Sequence, residues 1–172
     1  MAKILIVIAP QDYRDEEFEI PKAVFLTADH DVVVASKGVV TANGMLGGET
    51  DVDLDIEEAE AEDYEALVFV GGAGASIYFD DKKAHRLVQQ MHRAGKVVGA
   101  ICIAPSILAN ADILKGKEAT SFPSEKENLT NRGASFSGNP VCIDGKIVTA
   151  SGPEVSEDFA KAMIDVLPSS EQ

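Results

Sequence analysis

The amino-acid sequence predicts an α/β protein with a mostly parallel sheet that helices cover on both faces. Apolar segments of strand length alternate along the chain with amphipathic segments of helix length, which is the pattern of repeated strand–helix–strand units. Most of the strand segments are almost entirely apolar, as is typical of strands buried on both faces. One such segment, Val97–Ile101, leads directly into Cys102 and a helix-forming stretch. A strand that turns sharply into a helix around one nucleophile is a nucleophile elbow.

The first half of the chain supplies the amino-terminal units of this pattern. Its strand segments are rich in β-branched residues, and its helix has an apolar face that includes Phe18 and Phe25. Pro21 is placed near the first turns of that helix, where proline is tolerated. The predicted elements are a strand at Lys3–Ala9, a helix at Asp15–Ala28, a strand at Asp31–Ser36, short strands at Val39–Thr41 and Thr50–Leu54 around the Gly-rich loop Asn43–Gly48, and a strand at Ala66–Val70.

The second half continues the alternation and ends in a helix. Gly95 closes one helix, and Asp144-Gly145 forms a two-residue turn of the type that hairpins favour. The predicted elements are a helix at Asp80–Ala94, the strand Val97–Ile101, a helix at Ser106–Ala111, a strand at Glu118–Ser121, a helix near Ser124–Arg132, a hairpin of Val141–Ile143 with Lys146–Thr149, and a helix at Ser156–Leu167.

Length and composition limit the classes of function that the sequence allows. The 172 residues are predicted to form one domain, 1–172, with a frayed tail at 168–172. The formal net charge of −14 argues against nucleic acid and anionic membranes as partners, because phosphate binding needs clustered Lys and Arg. Apolar runs are too short for a membrane span. Two cysteines make no disulfide framework, so a cytoplasmic location is expected.

Neither a metal nor a cofactor is expected. An acidic run without Lys or Arg extends from Glu49 to Glu65, and Asp51, Asp53 and Asp55 alternate within it as calcium ligands do. The glycine and the final glutamate of a calcium loop are missing, so a solvated acidic face is the favoured interpretation. The segment Gly71-Gly72-Ala73-Gly74 fits neither a dinucleotide-binding fingerprint nor a phosphate-binding loop.

Cys102 is the strongest candidate for a reactive group. Ala100 and Ala104 flank it at two residues on either side, as the crowded backbone of an elbow requires. The helix start after Pro105 favours a thiolate over a thiol, because free N–H groups and the helix dipole attract negative charge. A buried structural cysteine at a strand end is the alternative.

Two further groups are predicted to lie at the same edge of the sheet as Cys102. The amides of Gly72 and Ile103 are candidates for an oxyanion hole, although a tight turn without a chemical role explains the glycines equally well. Acidic residues open the first helix, and a carboxyl packed beside the sulfur would be desolvated and would stay protonated. The spacing alone does not choose among the four: Asp15, Glu16, Glu17 and Glu19.

An ordered set of motifs resembles the ThiJ/PfpI superfamily over nearly the whole chain. The motifs are Glu17-Phe18-Glu19-Ile20-Pro21, the Gly71-Gly72 turn, Ala100-Ile101-Cys102-Ile103-Ala104-Pro105, Lys115–Ser121, Asp144–Thr149 and Ser151-Gly152-Pro153. The resemblance implies a flavodoxin-like three-layer α/β/α sandwich and a homodimer or higher homo-oligomer. It also implies that Cys102 is the elbow nucleophile, that Glu17 is the buried glutamate beside it, and that Gly72 and Ile103 supply the oxyanion-hole amides.

The chain departs from this superfamily at two positions. Protease-like members carry His directly after the cysteine, where this chain has Ile103, and deglycase-like members carry His where it has Phe122. His30, His85 and His92 are not expected to partner Cys102, although a neighbouring subunit would be able to supply a base. Cys142, in the middle of a hairpin strand, is interpreted as structural.

Two functions remain open from the sequence. In one, Cys102 is a thiolate that attacks a small reactive carbonyl compound, and Glu17 moves the proton; peptidase or amidase chemistry is a variant that the missing His weakens. In the other, the protein is a stress protein whose Cys102 is oxidised and whose protonated Glu17 donates a hydrogen bond to the oxidised sulfur. The expected partner is therefore a small electrophile or an oxidant.

Overall fold

The computed structural model describes residues 1–168, in which a seven-stranded sheet lies between two layers of helices. The strands are β1 (Lys3–Val7), β2 (Gln11–Tyr13), β3 (Asp31–Ser36), β4 (Thr41–Gly44), β5 (Glu49–Asp51), β6 (Leu54–Asp55), β7 (Ala66–Phe69), β8 (Val97–Ile101), β9 (Glu118–Ala119), β10 (Ser135–Phe136), β11 (Val141–Asp144) and β12 (Ile147–Ala150). The helices are α1 (Asp15–Thr27), α2 (Lys82–Arg93), α3 (Pro105–Asn110), α4 (Lys126–Asn131) and α5 (Ser156–Val166).

The main sheet has the strand order β11-β12-β8-β7-β1-β3-β6. All neighbouring pairs are parallel except β11 and β12, which form the predicted antiparallel hairpin. This confirms the predicted flavodoxin-like three-layer sandwich with a mostly parallel sheet. Strands β4 and β5 are also antiparallel and form a small second sheet with β2. Strand β4 overlaps the predicted strand Val39–Thr41 only at Thr41 and extends into the predicted Gly-rich loop.

The alternation of side chains along the buried strands creates a core on each face of the sheet. In β1, Leu5 and Val7 pack into a cluster with α2 and α3, whereas Ile4 and Ile6 pack into a cluster with α1 and α5. All four side chains are buried, and full burial of an aliphatic side chain stabilises a fold by about 1.5–3 kcal/mol. The nearly continuous apolar runs therefore reflect burial on both faces.

Some boundaries and short elements differ from the prediction. Strand β1 ends two residues earlier than predicted, and the helix predicted near Ser124–Arg132 is a 3-10 turn at Pro123–Glu125 followed by α4. Strands β2 and β10 were not predicted, because three or fewer residues show no hydrophobic period and their pairing partners are distant in sequence. The single strand predicted at Thr50–Leu54 is divided between β5 and β6. Pro21 lies in the second turn of α1, where it removes one backbone hydrogen bond to the Glu17 carbonyl.

Other expectations concern the ends and the surroundings of the chain. Most of the tail predicted to be frayed at 168–172 lies outside the described residues, and the single-domain assignment stays a prediction. Within residues 1–168, no helix combines the length and the apolar character that a membrane crossing requires.

The topology brings three loops together. Strands β1, β7 and β8 are adjacent and parallel, so their carboxyl ends meet at one edge of the sheet. The segments that follow these strands are residues 8–14, 71–74 and 102–104, and ligand sites of open α/β sheets lie at this edge.

Candidate active site

Cys102 occupies a strained turn between β8 and α3. Its φ angle is 65°, and the other described residues with positive φ, apart from glycines, are all aspartates. Asp tolerates the left-handed region better than Cys does, and the strain of such a residue is on the order of 1–3 kcal/mol. The Cys102 N–H donates to the carbonyl of Ala150 at the end of β12, at 2.9 Å. The nucleophile elbow predicted from the sequence is therefore present.

Two backbone amides point at the sulfur. The backbone N–H groups of Gly72 and Ile103 act to lower the pKa of the Cys102 thiol, so the two predicted amides lie beside the predicted nucleophile. Gly72 has a φ of 95°, and an added Cβ would lie 2.4 Å from the Arg14 nitrogen and 2.5 Å from the Asp12 oxygen. Only glycine fits this turn, because any side chain would collide with backbone.

Glu17 lies fully buried beside Cys102 in the first turn of α1. Its Oε1 accepts a hydrogen bond from the Gly71 N–H at 2.9 Å. Its Oε2 is buried and has no hydrogen-bond partner among the described residues. A Cβ added to Gly71 would lie 2.5 Å from Glu17 Oε1 and 2.6 Å from Cys102 Cβ. Gly71 thus lies between the two side chains, and its lack of a side chain lets them meet.

The pKa values of both Glu17 and Cys102 are raised above those of the free side chains. Burial raises the pKa of Glu17 from 4.5 to about 7, against the opposing effects of the Gly71 and Cys102 hydrogen bonds and the Arg14 charge. This agrees with the expectation of a carboxyl that stays protonated more readily beside the sulfur. Burial, followed by the negative charge of Glu17, raises the pKa of Cys102, although the Gly72 and Ile103 amides act to lower it.

The pKa of Cys102 is thus raised, whereas the helix start was expected to lower it. The dipole argument neglected the desolvation of the sulfur and the carboxylate beside it. Helix α3 has six residues, and its contribution at the sulfur is the Ile103 amide rather than a long aligned dipole. Transfer of the thiol proton to Glu17 would remove the repulsive charge and make the carboxyl a hydrogen-bond donor.

The other acidic candidates in α1 have structural partners. Asp15 accepts hydrogen bonds from the N–H groups of Leu46 and Gly48, at 3.1 and 2.9 Å, and so fixes the Gly-rich loop. Glu16 pairs with Arg14, whose Nε and Nη2 lie 3.0 and 2.9 Å from the same carboxylate oxygen. Glu19 is exposed.

Phe122 is attached to the elbow through its backbone. Its N–H donates to the Cys102 carbonyl at 2.7 Å, and its side chain is 45% exposed. The segment that follows is tied to the elbow helix by Ser106, which donates to Glu125 at 2.7 Å and accepts from Asn128 at 3.0 Å. The position where deglycase-like members carry His therefore does adjoin Cys102.

None of the three histidines bonds to Cys102 or Glu17 within the described residues. His30 accepts a hydrogen bond from the Ala2 N–H at the opposite edge of the sheet, and His85 bonds to the Phe79 carbonyl. Cys142 is buried in β11, burial raises its pKa, and both cysteines are free thiols.

The acidic residues that resembled calcium ligands bind backbone instead. Asp53 accepts from the Val34 N–H, and Asp55 accepts from the N–H groups of Gly38 and Glu57. Over residues 1–168 no group of three or more His, Cys, Asp or Glu side chains is arranged to hold a metal ion.

Comparison with known proteins agrees with this geometry. A family model described as the DJ-1/PfpI family matches residues 2–166. The chain belongs to the DJ-1/PfpI family. An uncharacterized relative from Methanocaldococcus jannaschii is 40% identical over 96% of this chain and 82% of its own length. A protein of Pyrococcus abyssi named as a deglycase is 34% identical over 88% of this chain and 90% of its own length. The crystal structure of a ThiJ/PfpI domain protein from Brachyspira murdochii, 35% identical, superposes with a TM-score of 0.93 over 95% of both chains.

Two contributors to this site were not predicted from the sequence. The Gly71-Gly72 turn was predicted, but the specific role of Gly71 was not. Gly71 leaves room for Glu17 and the sulfur, and this role depends on distances between three loops. Arg14 was also missed, because no local pattern distinguishes it from a surface arginine. Its position directly before the acidic start of α1 is the one available signal, since a cation is unfavourable at a helix N-terminus.

Proposed function

We propose that this protein is a cysteine-dependent stress protein that detoxifies small reactive carbonyl compounds in a glyoxalase-like or deglycase-like reaction. The observation that carries the proposal is the position of the buried Glu17 beside Cys102, with only the bare Gly71 backbone between their side chains. The deglycase name of the Pyrococcus abyssi relative supports the same class of substrate.

In this proposal Glu17 activates the nucleophile. A pKa of about 7 lets Glu17 act as a general base at neutral pH, where it is partly ionised. As the sulfur attacks the aldehyde carbon of methylglyoxal, the thiol proton passes to Glu17. The carbonyl π electrons move to oxygen, and the amides of Gly72 and Ile103 stabilise the negative charge. Return of the proton to that oxygen gives a hemithioacetal.

The product follows by isomerisation and hydrolysis. Glu17 removes the proton from the former aldehyde carbon and delivers it to the neighbouring carbon, while the hydroxyl proton passes to the ketone oxygen. The electron pair left on the former aldehyde carbon forms the enediol and then the thioester carbonyl, which converts the hemithioacetal into a thioester. Water then cleaves the carbon–sulfur bond, which releases lactate and restores the thiol. The overall change is the addition of one water molecule to methylglyoxal, so the reaction consumes no external oxidant or reductant.

Release of lactate from methylglyoxal tests the proposal. We expect wild type and Cys142→Ala to be active, because Cys142 lies in the β11 hairpin strand and plays no part in the site. Cys102→Ser and Glu17→Gln are expected to lose at least about 100-fold, the usual contribution of a nucleophile or a general base. Equal lactate release by wild type and Cys102→Ser would refute the proposal.

Oxidation of Cys102 is the second candidate function. The unpartnered Oε2 of Glu17, which faces the sulfur, would donate a hydrogen bond to an oxidised sulfur once it is protonated. Mild peroxide is then expected to add oxygen to Cys102 before Cys142, as peptide mass spectrometry would show; preferential oxidation of Cys142 would contradict it. Peptide hydrolysis is the weaker alternative, because Ile103 stands where protease-like members carry His.

We also infer that the protein forms a homodimer or a higher homo-oligomer in the cytoplasm. Exposed apolar side chains on the β4–β5 side support self-association, since Val40 and Leu46 are 84% and 63% exposed. The two free thiols fit a reducing compartment. Neither nucleic acid nor a membrane is proposed as a partner, in view of the net charge of −14.

A further inference from the structure

Arg14 is the cation that borders the site. Its backbone N–H donates to the Gly71 carbonyl at 3.0 Å and lies against Gly72, and Gly71 in turn lies against the side chains of Glu17 and Cys102. The same two-glycine turn therefore fixes the position of Arg14 and that of the reactive thiol. The charge of Arg14 acts on Glu17, and the charges of Glu17 and Cys102 act on Arg14 in return.

The Arg14 guanidinium has N–H donors that none of the described residues accepts. Both of its hydrogen bonds, from Nε and Nη2, go to one oxygen of Glu16, and each of the two side chains is 33% exposed. An arginine has five N–H donors, so Nη1 and the second hydrogen of Nη2 have no protein acceptor among the described residues. This free edge is able to receive the two oxygens of a carboxylate, the planar partner that guanidinium groups bind best.

Local stability does not explain an arginine at this position. Arg14 is the residue that caps α1, and it makes no side-chain capping bond there. Ser, Thr, Asp and Asn are the residues that stabilise this position, and a positive charge near a helix N-terminus is unfavourable. A residue that breaks a local rule beside a reactive group is a candidate for function.

We infer that Arg14 binds an anionic group of the substrate and makes the Cys102 site selective for small carbonyl compounds that also carry a carboxylate over neutral ones. This inference deepens the proposed function and rests on it for the carbonyl chemistry. The protein as a whole, with a net charge of −14, repels anions. Arg14 supplies the local attraction that such a substrate needs at the thiol.

Alkylation with a matched pair of reagents tests this selectivity. Iodoacetate and iodoacetamide transfer nearly the same group to Cys102: the sulfur–carbon bond forms, iodide leaves, and the thiol proton goes to solvent. They differ in the carboxylate. The ratio of their rate constants at Cys102, followed by peptide mass spectrometry, cancels any general change in folding or thiol reactivity.

We expect Arg14→Gln to lower the iodoacetate-to-iodoacetamide ratio by about five-fold, the usual effect of one partly exposed charge pair. Arg14→Lys keeps the charge and should retain most of the ratio. Arg93→Gln is the control for net charge, because Arg93 is exposed at the last turn of α2, before β8 begins. The wild-type ratio should fall in high salt. An unchanged ratio in Arg14→Gln, or an equal fall in Arg93→Gln, would overturn the inference.

A second arm separates this inference from the proposed function. Glyoxylate and glyoxal differ in one carboxylate, and each would slow alkylation of Cys102 by forming a reversible hemithioacetal. For each protein we compare the concentration of glyoxylate that gives half-protection with the concentration of glyoxal that does so. We expect this glyoxylate-to-glyoxal ratio to be lower for wild type than for Arg14→Gln. Loss of protection by both compounds, with a normal alkylation ratio, would refute the carbonyl chemistry alone. Protection by both with no effect of Arg14 would refute the charge selectivity alone.

Discussion

Replacement of Glu17 by Gln should stabilise the folded protein in a pH-dependent way. The folded-state pKa of Glu17 is raised from 4.5 to about 7, so the folded chain holds a proton that the unfolded chain has already lost. Protonated Glu17 keeps the folded state at full stability below about pH 4.5, and this stability is lost as the pH rises towards 7. At about 1.4 kcal/mol for each pKa unit, the loss amounts to about 3 kcal/mol by pH 8.

Glutamine has nearly the same shape as glutamate and stays neutral throughout. Its carbonyl is able to accept from the Gly71 N–H as Oε1 does, so the substitution removes little besides the charge. The free energy of unfolding of Glu17→Gln minus that of wild type should therefore increase by about 3 kcal/mol between pH 4.5 and pH 8. The constant part of this difference reports changes in packing and hydrogen bonding, and the pH-dependent part reports the ionisation of Glu17.

Urea unfolding at a series of pH values measures this difference. Protein concentration is held constant because self-association changes apparent stability. Glu19→Gln is the matched control, since it removes an exposed carboxylate from the same helix. A difference for Glu17→Gln that is flat from pH 4.5 to pH 8 would show that the buried carboxyl is not destabilised, and the account of the Cys102–Glu17 pair would be wrong.

Two further predictions concern packing and assembly. Gly71→Ala should lower the free energy of unfolding by about 1–3 kcal/mol and abolish lactate release, because its Cβ would lie within 2.6 Å of both Glu17 and Cys102. The control Gly138→Ala should change neither, because its Cβ would meet nothing within 4 Å. Full activity in Gly71→Ala would contradict the close contact. Sedimentation equilibrium should show a homo-oligomer, and Val40→Asp should weaken it by placing a charge in an exposed apolar patch; a monomer at micromolar concentration would refute self-association.

The order of the main elements was predictable because buried strands and helices have characteristic hydrophobic patterns in the sequence. Val97–Ile101 was predicted with its exact bounds and β3 likewise, since short apolar runs that contain β-branched residues allow few alternatives. Strand β2 was not, because Gln11–Tyr13 forms a strand only through its pairing with β4. Short edge elements depend on contacts that are distant in sequence.

The choice among the acidic residues of α1 shows where sequence reasoning ends. Helical spacing places Asp15, Glu16, Glu17 and Glu19 around one turn, but the direction that faces the sulfur depends on how α1 lies on the sheet. Only the resemblance to known motifs singled out Glu17. The structure adds the physical reason: the other acids have backbone, Arg14 or solvent as partners, and Glu17 alone is fully buried against Gly71.

Two costs to stability meet at this one point of the molecule. Cys102 holds a positive φ angle that its side chain disfavours, and Glu17 has a carboxyl oxygen without a partner in a site that disfavours its charge. A fold selected for stability alone would remove both, and Glu17→Gln removes the second with one atom changed. The proposed function accounts for both costs, because in it the strained turn presents the nucleophile and the desolvated carboxyl acts as a base suited to neutral pH.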